Sequence, residues 1–303
     1  MKQGPGRSRG PYRGLDRFEV GDGDLFFGRG GVVDEVIGLV RERRFVVLSG
    51  PSGSGKSSLL RAGVVPALGE AHLITPGPAP ATTHGHLLAL AEAPAEAPID
   101  VPERWVVIDQ FEEVFTRCTD LRERAAFLDL LHTARTHATG PHLLLAVRAD
   151  FHPHRADHPA LADPWLPLPP MTARELREAM VGPAQHAGLI VERALTARLL
   201  EETADAPGAL PLLSHALLEN WHRRRGRLLT LAAHETAGGV PGALAALAEE
   251  TYEALPRHRR TPPASSWNAW SSRARAPPTR AARSPAPNSP SGPTRTSPPS
   301  PDT

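Results

Sequence analysis

The chain has 303 residues, with 34 Lys and Arg against 33 Asp and Glu, and one cysteine, Cys118. A net charge of +1 supplies no global field toward nucleic acid or an anionic membrane, and a lone cysteine excludes an intramolecular disulfide and fits a reducing, cytoplasmic setting. No apolar run approaches the roughly 20 residues of a transmembrane helix, and the Gly/Arg-rich start lacks the apolar stretch of a secretory signal.

Residues 1–10 read as disordered. From Pro11 to Arg29 the chain is polar and rich in Gly and Asp, yet it carries Tyr12, Phe18, Phe26 and Phe27. Aromatics in such a loop cap a core or a flat ligand. Val32, Val33, Val36, Ile37 and Val40 recur at helical spacing, and the basic run Arg41–Arg44 suits a helix C-terminus. Basic residues at Arg223–Arg225 have the same reading, so neither patch predicts a nucleic-acid surface.

An apolar run, Phe45 to Leu48, then feeds Gly50-Pro51-Ser52-Gly53-Ser54-Gly55-Lys56-Ser57, a match to G-x-x-x-x-G-K-[ST]. The glycines let backbone N–H groups close on phosphates with no Cβ between. Those N–H groups, with Ser58 following, form an anion nest at the start of a helix running from Lys56 to about Pro66. Lys56 reaches β/γ-phosphates, and the Ser57 hydroxyl suits a Mg²⁺ ligand. Lys2 and Lys56 are the only lysines of the chain, so a compact ammonium is placed where Arg serves everywhere else.

Ala71 to Thr75 predicts a short strand, Pro76 to Pro80 a turn, Leu87 to Ala91 a short helix, and Ala93 to Pro102 a linker. Trp105 to Asp109 is a buried strand ending in a carboxylate. A helix follows over Leu121 to His137 with Ala125, Leu128, Leu131 and Ala134 inward, then a strand, Leu143 to Val147, ending at Arg148. Continuous apolar strands alternating with helices predict a parallel sheet covered on both faces. The extra strand–helix unit ahead of Asp109 lets the Arg148 strand lie between the Gly50 and Asp109 strands, the additional-strand P-loop arrangement.

From Thr172 the pattern turns helical. Thr172-Ala173-Arg174-Glu175 is a capping box, and Gly182-Pro183 is expected to break or kink the helix it opens. Further helices are expected over 193–204, 211–224 and 241–255, with a short hairpin near 227–231. The expected organisation is therefore an α/β core over 11–165, a helical, winged-helix-like subdomain over 166–255, and a disordered Pro/Ser/Arg-rich tail over 256–303. Trp267 and Trp270 are out of character for such a tail. Read one base earlier from Ala264 with GC-rich codon choices, the stretch becomes an amphipathic helix, so an out-of-frame origin is expected, with an authentic disordered tail as the alternative.

Asp109, at a strand C-terminus bordering the ligand crevice, is the candidate Mg²⁺-organising acid, with an ordinary helix cap as its alternative. Many additional-strand ATPases place a water-activating Glu next; here that position is Gln110, so Glu112 or Glu113 must serve, or hydrolysis is slow. Arg148 has two readings, a γ-phosphate contact or an ion pair with Asp150. The segment Asp150 to His158 holds three histidines, His152, His154 and His158, at an irregular spacing that suits a loop near the nucleotide better than zinc. Cys118 reads as a small buried residue.

With these residues in hand, the chain resembles the first group of novel STAND NTPases over about Pro11 to Leu255. The carrying segments are Pro11-Tyr12-Arg13-Gly14-Leu15, Asp24 to Arg29, Gly50 to Ser58, and Asp109-Gln110-Phe111-Glu112-Glu113. Downstream they are Arg148 to Phe151, Leu168 to Met171, Pro207 to His215, and Gly238 to Leu244. The resemblance implies ATP and Mg²⁺ as cofactors. Phe27-Gly28-Arg29 would line the adenine side, Lys56 and Ser57 would hold phosphate and metal, Asp109 would organise the metal, and Arg148 would sense the γ-phosphate. Pro211 would pack near the base. Gly30 departs from the family's usual Glu, and relatives continue into WD-repeat or other effector domains. The expected function is an ATP-binding, slowly hydrolysing signalling switch with nucleotide-dependent self-association. A non-hydrolysing nucleotide-dependent scaffold is the alternative; near-neutral charge disfavours a DNA-associated AAA-type motor.

Overall fold

The computed structural model describes residues 10–89, 104–137, 139–162, 164–203 and 208–254. Helix α1 (Gly30–Arg43) turns Val33, Val36, Ile37 and Val40 inward and stops at Arg44, which takes a left-handed conformation. Strand β1 (Phe45–Gly50) is buried throughout. After the phosphate loop come α2 (Lys56–Ser58), a π-helical stretch (Leu59–Val64) and α3 (Val65–Leu68), one unbroken helical run. Strand β2 (Ala71–Ile74), α4 (Pro80–Leu88), β3 (Trp105–Ile108), α5 (Glu113–Thr116), α6 (Leu121–Thr136) and β4 (His142–Arg148) follow. A short helix α7 (His154–Asp157) leads to β5 (Leu166–Pro167).

These strands form one parallel sheet in the order β2-β3-β4-β1-β5. The Arg148 strand therefore lies between the loop strand and the Asp109 strand, as expected. Alternate residues of each strand serve opposite faces. Phe45, Val47, Leu143, Leu145 and Val147 pack with Phe127, Leu128 and Leu131 of α6. Val46, Leu48, Leu144 and Ala146 pack with α1 and with Leu59, Leu60 and Val64 of the loop helix. Register pairs Gly50 with Arg148, so the loop and the end of β4 open on the same edge.

The second half begins with α8 (Ala173–His186), opened by the expected capping box: the Thr172 Oγ1 accepts from the Glu175 N–H, and Glu175 accepts from the Thr172 N–H. Strand β6 (Ile190–Val191), α9 (Arg193–Thr203), α10 (Ala209–Arg223), β7 (Leu228–Leu229), α11 (Leu231–Thr236) and α12 (Gly239–Ala254) complete the described chain. Met180, Leu195, Leu199, Leu213, Leu217 and Leu229 form their core. Tyr12 joins them from the far end of the sequence, its hydroxyl donating to the Met180 carbonyl at 2.6 Å.

Several local expectations are corrected. Helix α4 starts at Pro80, whose fixed φ and missing N–H suit a first helical position, and ends at Leu88 instead of spanning 87–91. In α6 the buried stripe is Phe127, Leu128, Leu131 and Ala134; Ala125 is exposed, because the stripe centres on the bulkier ring. Helix α8 runs through Gly182-Pro183 to His186. Pro183 lies in the last turn, where only one carbonyl loses its partner, and Gly182 leaves room for the Phe27 ring, since a Cβ there would lie 2.4 Å from Phe27 Cγ. The expected hairpin is reduced to one antiparallel bridge, Arg225 with Leu228, and the strand that follows the turn, β7, pairs in parallel with β6, Ile190 facing Leu228. The last core strand falls at 166–167, past the expected boundary at 165. The linker expected over 93–102, residues 1–9 of the start and the tail expected over 256–303, with its reading-frame hypothesis, lie outside the described residues; Gly10, the last residue of the expected disordered start, is buried, and its carbonyl accepts from Arg13.

Candidate functional site

The phosphate loop hangs between β1 and α2. Gly53 and Gly55 have φ of 76° and 91°, left-handed values that a side chain resists, and they turn the loop back toward the helix. The Lys56 ammonium folds across the loop and donates to the carbonyls of Gly50 at 2.7 Å and Pro51 at 2.9 Å. Burial lowers its pKa, while the carboxylates of Glu112 and Asp109 pull the other way. Ser54 Oγ is buried with no hydrogen-bond partner. A buried hydroxyl without a partner inside a ring of N–H groups is a position that a phosphate oxygen would satisfy. The neighbouring hydroxyl of Ser58 accepts from the Phe18 N–H at 3.2 Å, which ties the loop helix to the N-terminal segment.

Asp109 is 1 % exposed just past β3, and its carboxylate turns to the loop helix. One carboxylate oxygen accepts from Ser57 Oγ at 2.7 Å, and the other from Arg61 Nε at 3.0 Å. Ser57 and Arg61 are four residues apart on the loop helix, so both reach one acid. Sequence reasoning missed Arg61. Its signal was a charged residue inside the apolar run from Leu59 to Val65, since a buried charge needs a partner.

The carboxylates beyond β3 separate into two roles. Glu112 lines the cavity in front of the loop; its Oε2 accepts from the Arg148 N–H at 3.3 Å, and burial raises its pKa. Glu113 does not line that cavity: it accepts from the Gly77 N–H at 3.1 Å and from Arg117, bracing the turn after β2. Gln110 lies between Asp109 and Glu112 with φ of 56°, a left-handed backbone uncommon for a residue with a side chain. Arg148 reaches the cavity mouth, but its exposed guanidinium forks onto Asp150, at 3.0 and 2.6 Å. Both sequence readings thus meet at this residue, and the ion pair is the contact formed.

The opposite wall is helical. The start of α10 approaches the loop so closely that a Cβ on Gly53 would lie 3.1 Å from Gly208 Cα and 3.5 Å from Pro211 Cδ. Leu210, Pro211 and Leu213 face the cavity with Phe18, Phe26, Phe27 and Met171. Arg29 is buried at the same end; its Nη2 donates to the Pro169 carbonyl at 2.8 Å, and its Nη1 lies 3.8 Å from Glu175. The whole encloses about 540 Å³, polar along Ser52 to Ser58, Asp109 and Glu112 and apolar opposite. That shape and donor set fit a nucleotide with its phosphates on the loop and Mg²⁺ at Ser57.

The histidines over 150–158 lie apart from this chemistry. His154 stacks on Phe115 with centroids 4.4 Å apart, and His152 tilts against Trp165 at 4.5 Å. Among the described residues no group of His, Cys, Asp and Glu could hold a metal by itself, and no helix is long and apolar enough to cross a membrane. Cys118 is fully buried, as expected.

Comparison with curated proteins gives no match. Among solved structures, a RuvB variant of Thermotoga maritima is 17% identical, covering 74% of this chain and 71% of that one at a TM-score of 0.45. The Walker-type ATPase of Pyrococcus abyssi is likewise 17% identical, covering 80% of each chain at a TM-score of 0.46. The model of one family, described as Novel STAND NTPase 1, matches residues 11–263. That span takes in the loop, the strand-end acid and the helices opposite them, and the chain belongs to the Novel STAND NTPase 1 family.

Proposed function

We propose that the protein binds ATP with Mg²⁺ and hydrolyses it slowly, as a switch whose two halves respond to the nucleotide. The observation that carries this reading is the cavity whose polar wall is the phosphate loop, Asp109 and Glu112 and whose apolar wall includes the start of α10. In this reading the N–H groups of Gly53 to Ser58 and the Lys56 ammonium hold the phosphates. Lys56 exchanges the carbonyls of Gly50 and Pro51 for phosphate oxygens. Ser57 holds the metal and Asp109 orients Ser57. Bound Mg²⁺ supplies charge neutralisation across the phosphates during phosphoryl transfer. Glu112 is the carboxylate available to orient water, with Glu113 kept to its bracing role.

Arg29 closes the base end, and Phe27 with Pro211 packs the apolar side. The contact of Gly53 with Gly208 and Pro211 makes loop geometry and helix position interdependent, so the γ-phosphate biases the arrangement of the two halves. Arg148 joins the phosphate side when it leaves Asp150. Nucleotide-dependent self-association and a cytoplasmic location belong to the same reading.

A second reading, a scaffold that binds nucleotide without turning it over, is favoured by Gln110 standing where a water-activating Glu is usual. Binding of a fluorescent ATP analogue, measured beside phosphate release, separates the two. The switch reading expects Glu112→Gln to keep binding and lose turnover. Zero turnover in the unaltered protein with binding intact favours the scaffold, and no binding at all overturns both.

A further inference from the structure

The Arg61 side chain has more to do than neutralise one acid. Its Nε donates to Asp109 Oδ2 at 3.0 Å, its Nη1 to Glu19 Oε2 at 2.9 Å, and its Nη2 reaches Thr75 Oγ1 at 3.4 Å. The guanidinium is 11% exposed, Asp109 is 1% exposed, and Glu19 is half exposed at 51%. One cation therefore joins the loop helix, the end of β2, the end of β3 and the N-terminal segment. Glu19 is itself held: it precedes a short 3₁₀ turn (Val20–Leu25) in a reciprocal cap with Asp22, and Asp22 takes a forked pair from Arg13 at 3.0 and 2.6 Å.

The consequence lies at Asp109. A carboxylate held by one hydroxyl turns about its bond; one held by Ser57 on one oxygen and by the anchored Arg61 Nε–H on the other does not. Pairing with a cation also removes most of the charge that would draw the carboxylate directly onto a metal. We propose that Arg61, anchored by Glu19, is a positioning residue for the metal site: it fixes Asp109 so that the acid orients the Ser57 hydroxyl and acts on Mg²⁺ through it. The proposal rests on the reading of the cavity as a Mg²⁺-nucleotide site. Lysine cannot replace Arg61 in this role, because a single ammonium cannot span Asp109 and Glu19 in the fixed fork that a guanidinium offers.

The test uses the full chain and titrates Mg²⁺ against binding of a fluorescent ATP analogue, with the analogue's affinity also measured in EDTA. Arg61→Lys is expected to move the Mg²⁺ midpoint upward by about tenfold while the metal-free affinity stays within about twofold of the unaltered protein. Glu19→Gln, at a half-exposed position that does not threaten folding, is expected to move it in the same direction by about threefold. A merely structural role would lower metal-free and metal-dependent binding together. Midpoints unmoved in both variants overturn the proposal and leave the nucleotide reading standing. No analogue binding by the unaltered protein, with or without Mg²⁺, overturns the nucleotide reading and this proposal with it.

Discussion

Replacing Lys56 by alanine separates what the ammonium does for the fold from what it does for a ligand. Without nucleotide, Nζ donates to the Gly50 and Pro51 carbonyls. Such charge-assisted bonds are each worth about 1.5–3 kcal/mol. Burial, which lowers the Lys56 pKa, opposes them, and the Pro51 end is exposed to water that can replace the ammonium. The net change in stability of the ligand-free protein is therefore expected to be about 1 kcal/mol or less. A bound nucleotide at about 100 times its dissociation constant adds about 2.7 kcal/mol by mass action. For a domain of this size that is a rise in melting temperature of about 5–10 °C. Differential scanning fluorimetry with and without MgATP reads both quantities. The unaltered protein should show the rise, and Lys56→Ala should show none while melting near its parent when no ligand is present. A variant that keeps more than half of the rise would refute the assignment of Lys56 to the phosphates.

Glu112 has a burial-raised pKa, so the folded protein binds its proton more tightly than the unfolded chain does, and stability falls as pH climbs from the unfolded value through the folded one. Glu112→Gln should therefore raise the melting temperature at neutral pH and lose turnover, and the unaltered protein should show an acid limb in its pH–rate profile above the ordinary carboxylate range. Gly53→Ala forces a side chain into φ of 76° and against Gly208; a loss of about 1–2 kcal/mol in denaturant melts, with weakened MgATP binding, is expected. Tyr12→Phe deletes the buried bond to the Met180 carbonyl and should cost about 1 kcal/mol, read in urea melts, with nucleotide affinity nearly unchanged.

The phosphate loop was legible because its chemistry is local: glycines, a lysine and a serine at fixed spacing between an apolar strand and an apolar helix. Sheet order was legible from the number of strand–helix units between Lys56 and Asp109. The capping box at Thr172 was legible for the same reason as the loop, since its partners lie three residues apart. Features that depend on distant partners were not. Arg61 meets Asp109 across 48 residues and Glu19 across 42, and the π-helical stretch that carries it has no period that a 3.6-residue pattern detects. Glu112 and Glu113 are adjacent and chemically alike; only their distant contacts, the former with Arg148 and the latter with Gly77, tell them apart. Pro183 marks a helix break in most sequences, and here its place in the final turn removes the cost.

Tyr12 sits among Met180, Leu213 and Leu217, although more than 150 residues of chain lie between it and those partners. A shortened polypeptide beginning at the first helix would retain every phosphate-binding group yet leave that greasy socket open to water. Such a fragment should precipitate or melt early on expression, so the segment ahead of the loop is best treated as a plug belonging to the helices and not as a dispensable leader.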